Sequence, residues 1–434
     1  LKIGFVALSG LRANDPHLLE LGMSLPAVVQ RSKIVTAMPS LGLLYLASVT
    51  PAGHDLRYFE VTDETCLPAE VFECDLVALS SLSAQASVAY RVAKRLREQK
   101  VRVVMGGLHA SVEPEEAAQH ADIVVVGEGE SVWPDLVFRI ASGQKMEGTV
   151  RSSDYPAVDV KNLPVPRYDL LDASRYQRFP VQTSRGCPWR CDFCASGVML
   201  RQAYRRRNVD MVVRDIEHLK RMRRRLFVEF ADDNTFVDKA WGREICTALV
   251  PQQIKWFTET DISVADDSGL LELMRKAGCR QVLIGLESPQ REALEGIELR
   301  SNFKARRWAS NIEAVREIQR HGITVNGCFI LGLDGQGPDI FDQVLQFAVE
   351  APLFEVQLTV LTPFPGTPLY GRLEHEERLI EPRNWDTCTM FDVNFRPQGM
   401  SVDDLRRGLY DLAKRLYDPA CVLERQRGFF AMCG

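Results

Sequence analysis

Cys187, Cys191 and Cys194 fall within eight residues, in the stretch Thr183-Ser-Arg-Gly-Cys-Pro-Trp-Arg-Cys-Asp-Phe-Cys-Ala. No other stretch restricts the chain so strongly. Thiolate is the ligand that iron–sulfur clusters prefer, and such clusters are usually held by four cysteines. The spacing Cys-x3-Cys-x2-Cys supplies three, and the next cysteine is Cys246, far down the chain. A cubane held by three thiolates keeps one iron open, as a catalytic metal site keeps a position for its substrate. On the residues alone two other readings stay open. Structural zinc needs a fourth Cys or His at short spacing, and the nearest downstream histidine, His218, sits in a helical pattern. A redox pair at Cys191 and Cys194 leaves Cys187 without a role.

Strand and helix patterns alternate on both sides of this loop. Lys2–Leu8 is a short apolar run that predicts a first strand; residues 9–39 are irregular, broken by Gly10, Pro16, Gly22, Pro26 and Pro39. Ser40–Val49 has helical spacing, followed by strands at Leu56–Glu60 and Leu76–Ser80 and an amphipathic helix near Ser87–Gln99. Val101–Met105 and Ile123–Val126 are further strands, with a helix from about Pro114 to His120 between them. They end in the glycine turns Gly106-Gly107 and Gly127-Glu128-Gly129-Glu130, where a large ligand could approach the backbone closely. Such alternation predicts a parallel, doubly wound sheet with ligands at the C-terminal ends of its strands. A proline-marked linker occupies 151–178.

Strand–helix units then repeat, with strands at Val181–Ser184, Leu226–Phe230, Lys255–Thr260, Gln281–Leu286, Gly322–Leu331 and Val356–Leu361. Six units predict a partial, open barrel whose polar strand ends converge on one mouth. A helix is expected over Val209–Met222. Around it lie Arg205, Arg206, Arg207, Arg221, Arg223, Arg224 and Arg225, read as a solvated face or as a docking surface for an anionic partner. Past residue 370, Ser401 opens a helix as N-cap with Asp404 at the capping-box position. Trp385, Cys388, Tyr410 and Tyr417 are read as core residues, with substrate contact as the alternative.

The cysteine motif, with the aromatic Phe193 before its last Cys, resembles the signature of radical S-adenosylmethionine (SAM) enzymes. In that family SAM chelates the open iron and is cleaved reductively to a radical. The resemblance implies that Cys187, Cys191 and Cys194 hold a [4Fe–4S] cluster. It further implies that Asp232 and Asp233, in the place of the family's Gly-Gly-Glu segment, hold the SAM amino group. Glu287 and Ser288 match positions near the ribose and methionine; Asn326, Pro365 and Gly366 match segments around the adenine. The N-terminal turns at Gly106, Gly107, Gly127 and Glu128, with Pro39-Ser-Leu-Gly-Leu-Leu-Tyr-Leu-Ala, resemble the cobalamin-binding domain of one large subclass. Members that donate a histidine to cobalt carry Asp-x-His-x-x-Gly. Here Asp15-Pro16-His17-Leu18-Leu19-Glu20 ends in Glu, and many members of the subclass lack the motif, so the resemblance implies cobalamin bound without an obligatory histidine ligand, with His17 and, near the glycine turn, His109 as the residual candidates. The segment from Trp385 to Arg407 resembles an extension in a branch that includes hopanoid-methylating proteins.

The expected architecture is therefore α/β. A doubly wound, Rossmann-like cobalamin-binding-type domain (1–150) and a linker (151–178) precede a partial (β/α)6 radical SAM barrel (179–370) and a small C-terminal extension (371–434). The resemblance implies SAM, the cluster and cobalamin as cofactors, and methylation of an unactivated carbon of a small-molecule or lipid substrate. The alternatives are cyclisation, rearrangement or aminocarboxypropyl transfer from SAM, and a non-catalytic redox sensor. An electron donor such as flavodoxin or ferredoxin is expected. A net charge of −5 gives no overall pull toward nucleic acid. No apolar run approaches the roughly eighteen residues of a membrane span. Eleven scattered cysteines without a signal peptide fit a reducing cytoplasm.

Overall fold

The computed structural model describes residues 1–10, 13–20, 38–199 and 204–433. Two six-stranded sheets form its frame. The first contains β1 (Lys2–Leu8), β2 (Asp55–Val61), β3 (Leu76–Ser80), β4 (Arg102–Gly106), β5 (Ile123–Val126) and β6 (Gly148–Arg151), all parallel, in the order β2-β1-β3-β4-β5-β6. Its central strands are apolar on both faces because both faces are covered. Ile3, Phe5 and Ala78 pack into one cluster, while Val6, Val77 and Leu79 pack into another on the opposite side. This is the two-residue alternation of a strand. Strand order reverses between β1 and β3, so a ligand crevice opens beyond their C-terminal ends.

The second sheet contains β7 (Phe179–Val181), β10 (Phe227–Phe230), β11 (Lys255–Thr260), β12 (Cys279–Glu287), β13 (Thr324–Leu331) and β14 (Glu355–Val360). Each pairs in parallel with its predecessor, and β7 and β14 remain as free edges, which gives an open barrel. A separate antiparallel pair joins β8 (Ser184–Arg185) to β9 (Arg205–Arg206). Amphipathic helices cover the barrel. Val209–Met222 buries Val212, Ile216 and Leu219 on one stripe, and each fully buried aliphatic side chain contributes roughly 1.5–3 kcal/mol.

Several expectations need adjustment. The first barrel strand ends at Val181 rather than Ser184. Beyond it the amides of Thr183 and Ser184 turn to the carboxylate of Asp232, and Ser184–Arg185 crosses to β9. The expected helix from Pro114 is confined to Pro114–Ala117 and follows another, Leu108–Val112. Strand β6 and the helix Trp133–Ala141 are additional; β6 is a largely exposed edge without apolar alternation. Gly22 and Pro26 lie outside the described residues. The arginine run divides. Arg207 is buried against Asp215, Arg205 pairs with Glu128, and Arg223 donates to the carbonyls of Ala173 and Tyr176. Arg221, Arg224 and Arg225 are exposed.

Two C-terminal helices, Val402–Leu416 and Pro419–Met432, pack on the outer helices of the barrel. The segment before them reaches back to the first sheet's domain. Trp385 Nε1 donates to Glu116 at 2.9 Å, Arg383 pairs with Glu113 and Glu116, and Asp392 accepts the amides of Asn14 and Asp15. Trp385 and Cys388 pack with Ala86, while Tyr417 donates to the Val356 carbonyl. Tyr410 packs on the barrel core. All four are packing residues.

Candidate active site

The C-terminal ends of both sheets open into one cavity of about 2430 Å3. From the first sheet come Gly106, Gly107, Gly127 and Glu128. From the second come Cys187, Cys191, Cys194, Asp233, Glu287 and Gly366. Ten positions singled out in the sequence thus meet at one place, although they span most of the chain.

The cysteine loop is held at three points. Its start is fixed by Asp233, which accepts from the Gly186 amide at 3.0 Å and also binds the Ser196 hydroxyl just past the last cysteine. Its middle is fixed by a bridge between Cys191 and Glu298, flanked by Asp192 N to Ile297 O and Leu299 N to Arg190 O, both 2.8 Å. Trp189 stacks on Phe303 and donates to Asp261 at 3.0 Å. Burial pushes the Cys187 thiol up to about 11 and raises those of Cys191 and Cys194, with the charge of Cys194 adding to the first two. Buried thiolates that repel one another need a cation, and an iron–sulfur cluster supplies it. Cys246 is fully buried in the core and offers no fourth ligand. Among the described residues no three His, Cys, Asp or Glu crowd a single-ion position. Three thiols on one cavity-facing loop fit the wider donor set of a cubane.

The acids after β10 divide. Asp233 faces the cavity, whereas Asp232 is 5% exposed and does not line it. Asp232 accepts from the Thr183 amide (2.7 Å), the Ser184 amide (3.0 Å) and the hydroxyls of Thr183 and Thr235. It pins the chain entering the cysteine loop and has no face left for SAM. Ser288 is also turned inward, bonded to Gln336, whose own Oε1 accepts from Gly332 and Leu333. Asn326 is buried beneath the cavity with its Oδ1 unpartnered. Pro365 is not part of the lining; its neighbours Phe364 and Gly366 are.

Lys304 was not legible as a site residue. Its ammonium lies 2.6 Å from Glu287 and 2.8 Å from the Gly285 carbonyl, on the cavity wall. Burial alone would lower its pKa, but Glu287 and Cys191 raise it. Glu287 itself adopts a left-handed backbone (φ 62°) at the end of β12, a strained placement that aims its carboxylate at Lys304. A carboxylate and an ammonium beside the cysteine loop can receive the ammonium and carboxylate of an amino acid.

On the opposite wall, the glycines serve packing as much as access. A Cβ on Gly107 (φ 91°) would meet Ser80 Oγ at 2.6 Å, and one on Gly127 (φ 90°) would meet Ser152 Oγ at 2.2 Å. Glu128 is engaged by Arg185 (2.6 Å) and Arg205 (2.7 Å), and Arg185 also holds Glu130 at 2.8 Å. The arginines come from the second sheet's side, so this cluster joins the two halves. The crevice beyond β1 and β3, lined by Leu8, Ser9, Ser80, Ser81 and Leu82 with the open Gly106, is free to take a large planar ligand. Neither histidine lines the cavity. His109 is fully buried, bonded to Tyr90 at 2.8 Å, and His17 is exposed with its ring against Tyr410.

The Radical SAM superfamily matches residues 181–348, and the B12 binding domain matches residues 28–137. The chain belongs to the B12-binding radical SAM enzymes. Its cofactors are a [4Fe–4S] cluster, SAM and cobalamin. A Domain of unknown function (DUF4070) matches residues 367–434 of this radical SAM enzyme. It is 27% identical over 402 residues to the bacteriochlorophyllide d C-12(1)-methyltransferase of Chlorobaculum tepidum, covering 90% of this chain and 85% of that protein. It is 25% identical to the hopanoid C-2 methylase of Rhodopseudomonas palustris, covering 90% and 73%. In fold it is similar to the radical SAM methyltransferase TsrM from Kitasatospora setae with cobalamin and [4Fe–4S] cluster bound. That match has a TM-score of 0.72 at 17% identity and covers 96% of this chain and 91% of that one. Among the described residues no helix is long and apolar enough to cross a membrane.

Proposed function

We propose that this radical SAM enzyme methylates an unactivated carbon of a small-molecule or lipid substrate. The observation that carries the reading is the shared cavity, into which the cysteine loop and the crevice of the first sheet both open. Its volume of about 2430 Å3 exceeds the roughly 300–1,000 Å3 of an ordinary ligand pocket, which leaves room for two large cofactors and a substrate together. The methylating activities of the bacteriochlorophyllide and hopanoid relatives support the same direction. When bound, SAM at the cluster supplies a hydrogen-abstracting radical and cobalamin supplies the methyl group. The chain's own residues bind and orient. Cys187, Cys191 and Cys194 would hold the cluster, Asp233 keeps their loop in place, and the Glu287–Lys304 pair receives the amino acid end of SAM. Phe257, Leu283 and Ile330 on the barrel wall keep water from the reacting carbon.

Product analysis with isotopically labelled SAM tests the reading. Methyl transfer through cobalamin consumes one SAM as 5′-deoxyadenosine and another as S-adenosylhomocysteine. The two nucleosides should therefore form in roughly equal amounts while the substrate gains a CH3 group. Deoxyadenosine without S-adenosylhomocysteine would instead indicate cyclisation or rearrangement. Methylthioadenosine as the main product would indicate aminocarboxypropyl transfer.

A further inference from the structure

The barrel wall carries polar groups that neither the cluster loop nor the first sheet uses. On β11 the side chains of Phe257 and Glu259 face the cavity, while Trp256 and Thr258, alternating with them, are fully buried behind the sheet. Glu259 is exposed to the cavity and, among the described residues, its carboxyl has no hydrogen bond or ion pair. Its neighbour on β10, Glu229, is by contrast paired with Arg178 at 2.5 Å. Across the barrel, Gln357 on β14 also lines the cavity, 7% exposed, with its Oε1 left without a partner. By register the two sit in neighbouring rows of the sheet: Glu259 lies beside Leu283 and Leu283 beside Asn326, while Gln357 lies beside Cys328 and Cys328 beside Gly285. Apolar lining near them comes from Phe257, Leu283 and Ile330.

A buried amide oxygen without a donor is destabilising, and folded proteins leave few such groups unpaired. Here the orphan oxygen and the free carboxyl face the same cavity from β14 and β11, with β12 and β13 between them. Both accept hydrogen bonds, so each calls for a donor that the protein does not provide. Desolvation by the barrel atoms enclosing the cavity, with the charges of Glu229, Asp233 and Asp232 nearby, pushes the Glu259 carboxyl up to about 8. Above that pH the ionised carboxylate makes this end of the cavity electronegative, which disfavours an anionic ligand and favours a donor or a cation.

We propose that Glu259 and Gln357 form the anchoring subsite for the substrate, receiving a hydroxyl or amine group on an otherwise apolar molecule. The proposal rests on the cavity being the substrate chamber of the methyl-transfer reading. It assigns Glu259 and Gln357 to binding and specificity, with no part in holding the cluster or cobalamin.

The test is a binding measurement on the oxidised holoprotein, in which no turnover occurs, so it reports on the subsite whatever reaction the enzyme catalyses. Octylamine, octanol and octanoate are titrated by calorimetry below their micellar concentrations. Above about pH 8 octylamine and octanol should bind more tightly than octanoate. Octylamine affinity should rise as the pH passes about 8, because the carboxyl then ionises opposite an ammonium. Octanol affinity should stay level, which tells the amine from the hydroxyl arm. Glu259→Leu and Gln357→Leu should each weaken the favoured ligand about three- to tenfold, the value of one neutral hydrogen bond. Glu259→Gln should keep octanol binding and abolish the pH dependence for octylamine. Iron and cobalamin contents equal to wild type establish that each variant is folded. Equal binding of all three ligands, or binding unmoved in folded variants, overturns the subsite.

Discussion

Five donors converge on the carboxylate of Glu298: the amides of Arg190 (3.1 Å), Arg300 (3.1 Å), Ser301 (2.7 Å) and Phe303 (3.4 Å), and the Ser301 hydroxyl (2.7 Å). Burial alone would raise its pKa, but these bonds, Ser301 foremost, hold it at about 2 against an ordinary 4.5. Such a depression is worth roughly 3 kcal/mol of folding stability when the group is ionised. Because the folded-state pKa is the lower one, that contribution is complete above about pH 4.5 and is lost as the pH falls toward 2. Glu298→Gln should therefore flatten the acid limb of the stability–pH curve, measured by urea denaturation between pH 5 and pH 2. It should also loosen the cluster loop, since Arg190 loses its acceptor. Nothing in the sequence marked Glu298, because its partner Arg190 is remote along the chain and no motif spans that gap. The cysteines were legible through local spacing. Asp232 and Asp233 were legible as a pair but not as individuals, because which of two adjacent acids turns inward depends on Thr183 and Thr235.

Elements were legible where burial imposes a period. The helix Val209–Met222 and strand β11 have the bounds that their patterns predict. The helix Val402–Leu416 begins where Ser401 and Asp404 place it, with the reciprocal capping bonds formed. Ser401→Ala should cost about 1 kcal/mol in chemical denaturation, while Ser401→Thr should cost less, since it keeps the hydroxyl acceptor. Elements built on remote partners left no such pattern. Two-residue β8 and β9 exist only as a pair with each other, and β6 is held by its register to β5 rather than by a buried face of its own. The inward turn at Val181 likewise answers to Asp232, which lies on the far side of the next helix.

In the whole molecule, Arg185 is a buried tie between the two halves, with a side chain only 8% exposed and two carboxylates upon it. Removing one partner of a buried ion pair leaves an uncompensated charge and typically costs about 3–5 kcal/mol. Glu128→Ala should therefore destabilise the joint, with Glu130 retaining part of the contact. Limited proteolysis should cut 151–178 faster in that variant while the iron content per chain stays close to wild type. The α/β class and the two-sheet plan followed from the alternation of strands and helices. The joint did not, because Glu128 in its glycine turn resembled a ligand contact and its two arginines come from the opposite half.

The return of the C-terminal segment to Glu113, Glu116, Asn14 and Asp15 bears on how such a chain can be recombined. The sequence matches divide it into three successive blocks, and blocks of that kind invite exchange between relatives. Yet the last block grips the first directly, and the middle one grips the first through Arg185. A chimera that takes its first block from a relative must therefore bring matching acids for both Arg185 and Arg383, or inherit two seams that do not close. Heredity in such a protein runs through the seams as much as through the blocks.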